Sequence, residues 1–175
     1  MKKNLLIILA FLMVQITNAQ TLKETKIGKA FFLSTPDYMT RVFGLNDDAK
    51  YSAGNYDLGV FTMVIQEEKA NITGNDIDLA TKDKYYANAY ETLKESGKIL
   101  GETAPKNLKI GNADAKQLEV TLELENEDVG TIKIFYVITV IETPEYLYKI
   151  YSWTSEGEKA TYTNDFKKIA NSFRE

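Results

Sequence analysis

The side chains that could do chemistry here are carboxylates, lysines, tyrosines and one unusual arginine. Of the 175 residues none is histidine and none is cysteine. A Ser-His-Asp triad is therefore excluded, and zinc, copper and iron–sulfur sites built on imidazole or thiolate have no ligands. No catalytic residue and no cofactor is assigned. Two carboxylate pairs, Glu67 with Glu68 and Glu123 with Glu125, could hydrolyse a glycoside if each pair converged in a cleft. Neighbours on a strand point to opposite faces, which separates Glu67 from Glu68. Glu123 and Glu125 share a face with Glu119 and Thr121 and are expected to form a solvated sheet surface. Asn71, Thr73, Asn75, Asp76 and Asp78 offer oxygen ligands suited to calcium. They lack the EF-hand spacing, and a polar loop capped by Asp78 is the competing reading.

Arg41 is one of two arginines in the chain. It stands in "TPDYMTRVFGLNDDAKYSAGN" beside Tyr38, Asp37 and Asp47. A guanidinium can grip a partner's carboxylate through a bidentate pair. It can equally be taken by Asp47 or Asp48 in its own loop, and that internal pairing is the expectation. An exposed, unpaired Arg41 next to Tyr38 would instead mark a contact surface. Tyr85 and Tyr86 adjoin on a helix. Tyr86 is expected to face the core and Tyr85 to stand half exposed, so Tyr38, Arg41 and Tyr85 are the candidate partner-binding residues. Tyr146, Tyr148, Tyr151 and Trp153 could line a groove for sugars or peptides, but are expected to be core with hydroxyls at its rim.

The elements that must position these groups are readable from patterning. Residues 1–19 carry a basic start, an apolar run from Leu5 to Val14 and the small residues Thr17 and Ala19 near a cut. This is the layout of a signal peptide, and the run is shorter than the roughly 20 residues of a membrane span. The expectation is an exported protein, periplasmic or extracellular, beginning near Gln20 with no stable membrane anchor. Residues 20–175 are expected to form a single domain. The net charge is −4, and −6 once Lys2 and Lys3 are gone, with 19 basic against 25 acidic residues. Such a surface does not attract a phosphate backbone, so no nucleic acid partner is expected.

Strands are predicted from Ile27 to Ser34, Tyr51 to Asn55, Leu58 to Glu67 and near Leu108–Ile110. A helical turn is predicted from Asp37 to Val42 and a tight turn at Gly54–Asn55. Leu118, Val120, Leu122 and Leu124 alternate with polar residues, the mark of a strand with one buried face. "TIKIFYVITVIE" is apolar on both faces and reads as central. "YLYKIYSWT" puts Tyr146, Tyr148 and Ile150 on one side and Leu147, Tyr151 and Trp153 on the other. A helix is predicted from Asp78 to Ser96, stopped at Gly97. Another runs from Glu158 to Ser172, with a Ser155/Glu158 capping box and a buried stripe of Tyr162, Phe166, Ile169 and Phe173. Hairpin-length turns make the sheet antiparallel. The fold class is α+β, an antiparallel sheet flanked by helices.

The order "FFLSTPDYM", "LNDDA.Y", "VIQEEK", a helix, "G..A", "YKIYSWT" and "F..IA.SF" resembles the PsbP/Mog-like superfamily, and most closely its small exported proteins from Bacteroidetes-type bacteria. The resemblance runs over the whole mature chain. It implies an α/β/α sandwich and an accessory role. Relatives dock on photosystem II, bind a small GTPase or serve as secretion chaperones, and no catalytic residue set is common to them. A protein-binding accessory or chaperone-like module is thus the first functional expectation, with an unidentified protein partner and an exposed apolar patch or groove. The alternative is a small-molecule or sugar binder or a carboxylate-based hydrolase, which requires a closed pocket with converging carboxylates.

Overall fold

The computed structural model describes residues 21–28, 31–73, 79–126 and 130–175. The expected signal peptide, Asn75, Asp76 and Asp78 lie outside the described residues.

The N-terminal strand prediction resolves into a hairpin. β1 (Leu22–Ile27) and β2 (Phe31–Pro36) pair antiparallel, and Gly28, at φ 58°, turns the chain out of β1, a conformation that glycine adopts without steric cost. Pro36 closes β2, as proline ends a ladder. The helical turn expected after it does not form. Met39 N–H closes a tight turn on Pro36 O, 3.0 Å, and β3 (Thr40–Arg41) follows at once. Burial of Met39, 5% exposed, holds the chain in this course.

The main sheet has eight strands. Its order is β3, β4 (Ala49–Asn55), β5 (Val60–Glu68), β10 (Tyr146–Ser155), β9 (Gly130–Glu142), β8 (Ala113–Asn126) and β6 (Lys98–Glu102), with β7 (Lys106–Ile110) also on β8. Its strand pairs are all antiparallel. β9, apolar on both faces, lies between β10 and β8, and β5 lies between β4 and β10. The Gly54–Asn55 turn falls later than expected, at residues 56–59, because β4 continues to Asn55. There the Asn55 side chain accepts from Leu58 N–H, 3.0 Å.

Two helices cover opposite faces. α1 (Lys69–Thr73) is a short turn after β5, and α2 (Lys82–Ser96) lies on one face. α2 is capped by Thr81, whose hydroxyl accepts from Lys84 N–H at 3.4 Å. It packs Tyr85, Tyr86, Ala89 and Leu93 against Leu118, Val120, Leu122, Ile138, Leu147 and Tyr151. α3 (Lys159–Asn171) and the β1–β2 hairpin cover the other face. There Phe166, Ile169 and Phe173 meet Phe31, Val137 and Tyr148, and Tyr162 packs at their margin. The predicted stripe is therefore the buried one. The Ser155/Glu158 box is not formed. A 3-10 turn over Glu156–Glu158 intervenes, and Ser155 makes no capping bond. The polar face of β8 is also less solvated than expected. Thr121 is buried, and Lys167 of α3 reaches Glu119 at 2.6 Å.

Candidate partner-binding surface

β3 is the outermost strand at one end of the sheet path. Its Arg41 is exposed and does not pair with Asp47 or Asp48. Among the described residues no carboxylate lies within ion-pair distance of it. Asn46 organises that turn instead, its side chain accepting from Asp48 N–H at 2.8 Å. The guanidinium sits 5.0 Å from the Tyr51 ring centroid and 5.4 Å from that of Phe43, distances at which ring quadrupoles attract a cation. Its Nη2 donates to Lys50 O at 3.4 Å. The side chain is thus steadied by rings and a carbonyl while its charge stays uncompensated. Phe43 is 78% exposed, the most exposed large apolar side chain described. Sequence reasoning passed over Phe43. The signal it offered was a large apolar residue placed directly before Gly44 and a polar turn.

Tyr38 does not join this surface. Its hydroxyl donates to Asp165 Oδ2 on α3, 2.9 Å, and its carbonyl accepts from Asn55 Nδ2, 3.0 Å. Burial, reinforced by the Asp165 carboxylate, drives its phenol far above the ordinary range. Tyr38 is a tie between the loop and α3.

Tyr85 is a correction. It is fully buried, not half exposed, and Tyr86 beside it is buried too. Adjacent helical residues are about 100° apart, and an apolar stripe laid on a broad sheet is wide enough to take both. The Tyr85 hydroxyl donates to Glu67 Oε1 at 2.6 Å. Lys149 Nζ lies 3.4 Å from that same oxygen and 4.2 Å from the Tyr85 ring centroid. Burial first, then Glu67, pushes the phenol far upward. Two further phenols follow the pattern. Tyr90 donates to Glu102, 2.8 Å, and Tyr148 to Glu175, 2.7 Å. Tyr148 and Tyr151 are buried, as expected of core aromatics.

The carboxylate pairs do not converge. Glu67 turns to Tyr85 and Lys149, while Glu68 accepts from Asn71 Nδ2 at 3.1 Å. Glu123 meets Lys98 at 3.6 Å, and Glu125 accepts from Thr131. Among the described residues no group of three or more acidic side chains could hold a metal ion. Two clefts, of about 820 and 660 Å³, flank the turn at Pro144. Several charges at their walls are already engaged, Lys69 by Glu142 at 2.7 Å and Glu175 by Tyr148 and Thr143.

The fold is PsbP/Mog-like: a large antiparallel sheet between helices, with a C-terminal helix returning on the first hairpin. Three solved structures are similar over nearly the whole chain. Cyanobacterial PsbP (CyanoP) from Synechocystis sp. PCC 6803 is 14% identical with a TM-score of 0.62, covering 89% of this chain and 92% of its own. LpqN of Mycobacterium tuberculosis, involved in cell envelope biogenesis, is 12% identical at 0.53, covering 89% and 91%. A point mutant of the protein Mog1 is 11% identical at 0.50, covering 88% and 95%. No protein-family model and no curated protein matches the sequence. At these identities the likeness is one of fold. No helix among the described residues is long and apolar enough to cross a membrane.

Proposed function

We propose that this is an exported, non-catalytic accessory or chaperone-like module that binds another protein through the β3 edge of its sheet. One observation carries the reading. Arg41 is held between Phe43 and Tyr51 with no carboxylate partner among the described residues, beside a Phe43 that stands largely exposed. Exposed aromatic and arginine side chains are the types that dominate interface energetics. The diverging carboxylates favour docking over hydrolysis. The N-terminal pattern of residues 1–19 supports export, with the mature chain starting near Gln20.

The test is site-specific photo-crosslinking in the native envelope from position 43, with position 100 on the far edge as control. A discrete adduct from position 43, absent from position 100 and lost with Arg41→Ala, is the expected result. Equal labelling from both positions, or no adduct together with turnover of a substrate, refutes the reading. N-terminal sequencing of the fractionated protein tests export, and an intact Met1 overturns it.

A further inference from the structure

The main chain of the same edge has a defined hydrogen-bonding phase. Val42 N–H donates inward to Ser52 O at 3.1 Å, while Arg41 stands opposite Ala53. In an antiparallel pair, residues alternate between hydrogen-bonded and non-hydrogen-bonded positions. Arg41 is therefore in a non-hydrogen-bonded position, and its N–H and C=O point away from β4. Phe43 follows just past the end of β3, and its ring centroid lies 5.4 Å from the Arg41 guanidinium, so the two side chains lie side by side.

The opposite edge is built differently. There β6 and β7 are separate short strands, broken at residues 103–105, which include Pro105. Lys98, Lys106 and Lys109 stud that edge, with Lys98 paired to Glu123 and Lys109 to Asp114. Short strands, proline and lysine are devices that refuse a further strand. β3 shares the first of these, at two residues, but its edge carries neither proline nor lysine along Thr40–Phe43, and its one cation has no counter-ion among the described residues.

We propose that the β3 edge accepts an extended segment of a partner protein as an additional strand. The segment carries an acidic side chain beside Arg41 and an apolar one beside Phe43, two residues apart. Strand addition draws affinity from main-chain hydrogen bonds and specificity from alternate side chains. The acidic residue follows from charge complementarity. The guanidinium is already oriented by two rings, and its remaining N–H donors form the fork that suits a carboxylate. The apolar residue covers Phe43. This inference rests on the docking role of the β3 edge and specifies its partner.

The probe is a blocked heptapeptide with Glu and Val two residues apart and Thr elsewhere, compared with its Gln counterpart. Titration of the ¹⁵N-labelled full chain by NMR is expected to shift the amides of Arg41 and Phe43. The same amides become protected from hydrogen exchange. The Gln peptide, or Arg41→Gln in the protein, weakens binding by roughly five-fold or more. Phe43→Ser weakens it independently of the Glu. Equal affinity of the two peptides, shifts centred elsewhere, or no shift at millimolar peptide overturns the proposal. So does an Arg41→Gln protein that self-associates without losing peptide affinity, which makes Arg41 a guard against aggregation. Crosslinking of a partner at position 43 with no peptide response sinks strand addition and leaves docking standing. A peptide response without any crosslinked partner supports the strand mode and removes support for the accessory role.

Discussion

Replacing Tyr85 with Phe separates the hydroxyl from the ring at a tie between α2 and the sheet. The ring is completely buried, and its hydroxyl donates to Glu67 at 2.6 Å. A hydrogen bond to a charged group contributes about 1.5–3 kcal/mol net. Glu67 retains 40% side-chain exposure and keeps Lys149 at 3.4 Å, so water can take up its freed oxygen. The lower end applies, and Tyr85→Phe is expected to cost about 1.5 kcal/mol. Tyr85→Ala also removes the buried ring and is expected to cost roughly 3–5 kcal/mol. Glu67→Gln strands the Lys149 ammonium, whose side chain is only 12% exposed. In a double-mutant cycle Tyr85→Phe and Glu67→Gln should couple by about 1 kcal/mol. The assay is urea unfolding followed by far-UV circular dichroism, with each midpoint shifting at constant m. If Tyr85→Phe costs less than about 0.5 kcal/mol, the range of ordinary surface changes, or if it equals Tyr85→Ala, the division between hydroxyl and ring is wrong.

Three other outcomes are expected. The half-buried Tyr38 and the buried phenols Tyr85, Tyr148 and Tyr151 are all raised by burial, and Tyr86 is pushed up to about 12. Their contribution to stability is complete below the unfolded phenol value of about 10 and disappears as pH rises through the higher folded values. Unfolding should accompany phenolate absorbance at about 295 nm above roughly pH 10, and ionisation of every tyrosine near that pH in a folded protein would contradict this. Gly97→Ala places a Cβ 2.5 Å from Glu123 O and Leu124 Cδ2 in extended backbone. It should cost about 2 kcal/mol by overpacking, and an unchanged melting temperature would refute the close approach. Arg41→Ala and Phe43→Ser should each change stability by less than about 0.5 kcal/mol. A larger loss in thermal unfolding would make the β3 edge scaffold rather than contact surface.

Sheet faces and sheet centre were readable where alternation or its absence is unambiguous. Leu118 to Leu124, Tyr146 to Trp153 and the doubly apolar β9 all lie as their patterns require. The α3 stripe followed from helical spacing. β6 escaped because "KILGE" has little strand character of its own, and its conformation comes from pairing with β8. Tyr85 was misplaced because periodicity gives the direction of a buried stripe but not its width. At the β3 edge, the expected pairing of Arg41 with Asp47 or Asp48 does not form, and its neighbours are rings rather than the nearer acids. Nothing in local spacing distinguishes Tyr51 and Phe43 from Asp47 and Asp48 as its neighbours. Tyr38 was assigned to the surface because its true partner, Asp165, lies 127 positions away.

The phenol-to-carboxylate bonds have a consequence for where the protein can fold. Tyr38 to Asp165 and Tyr148 to Glu175 join segments 127 and 27 positions apart, the reach that disulfides often have in exported proteins. The chain contains no cysteine. Its long-range ties therefore form without an oxidant, an isomerase or a shuffling step, and a reductant does not undo them. Thiol–disulfide conditions leave these long-range ties untouched, and strong alkali is the condition expected to break them.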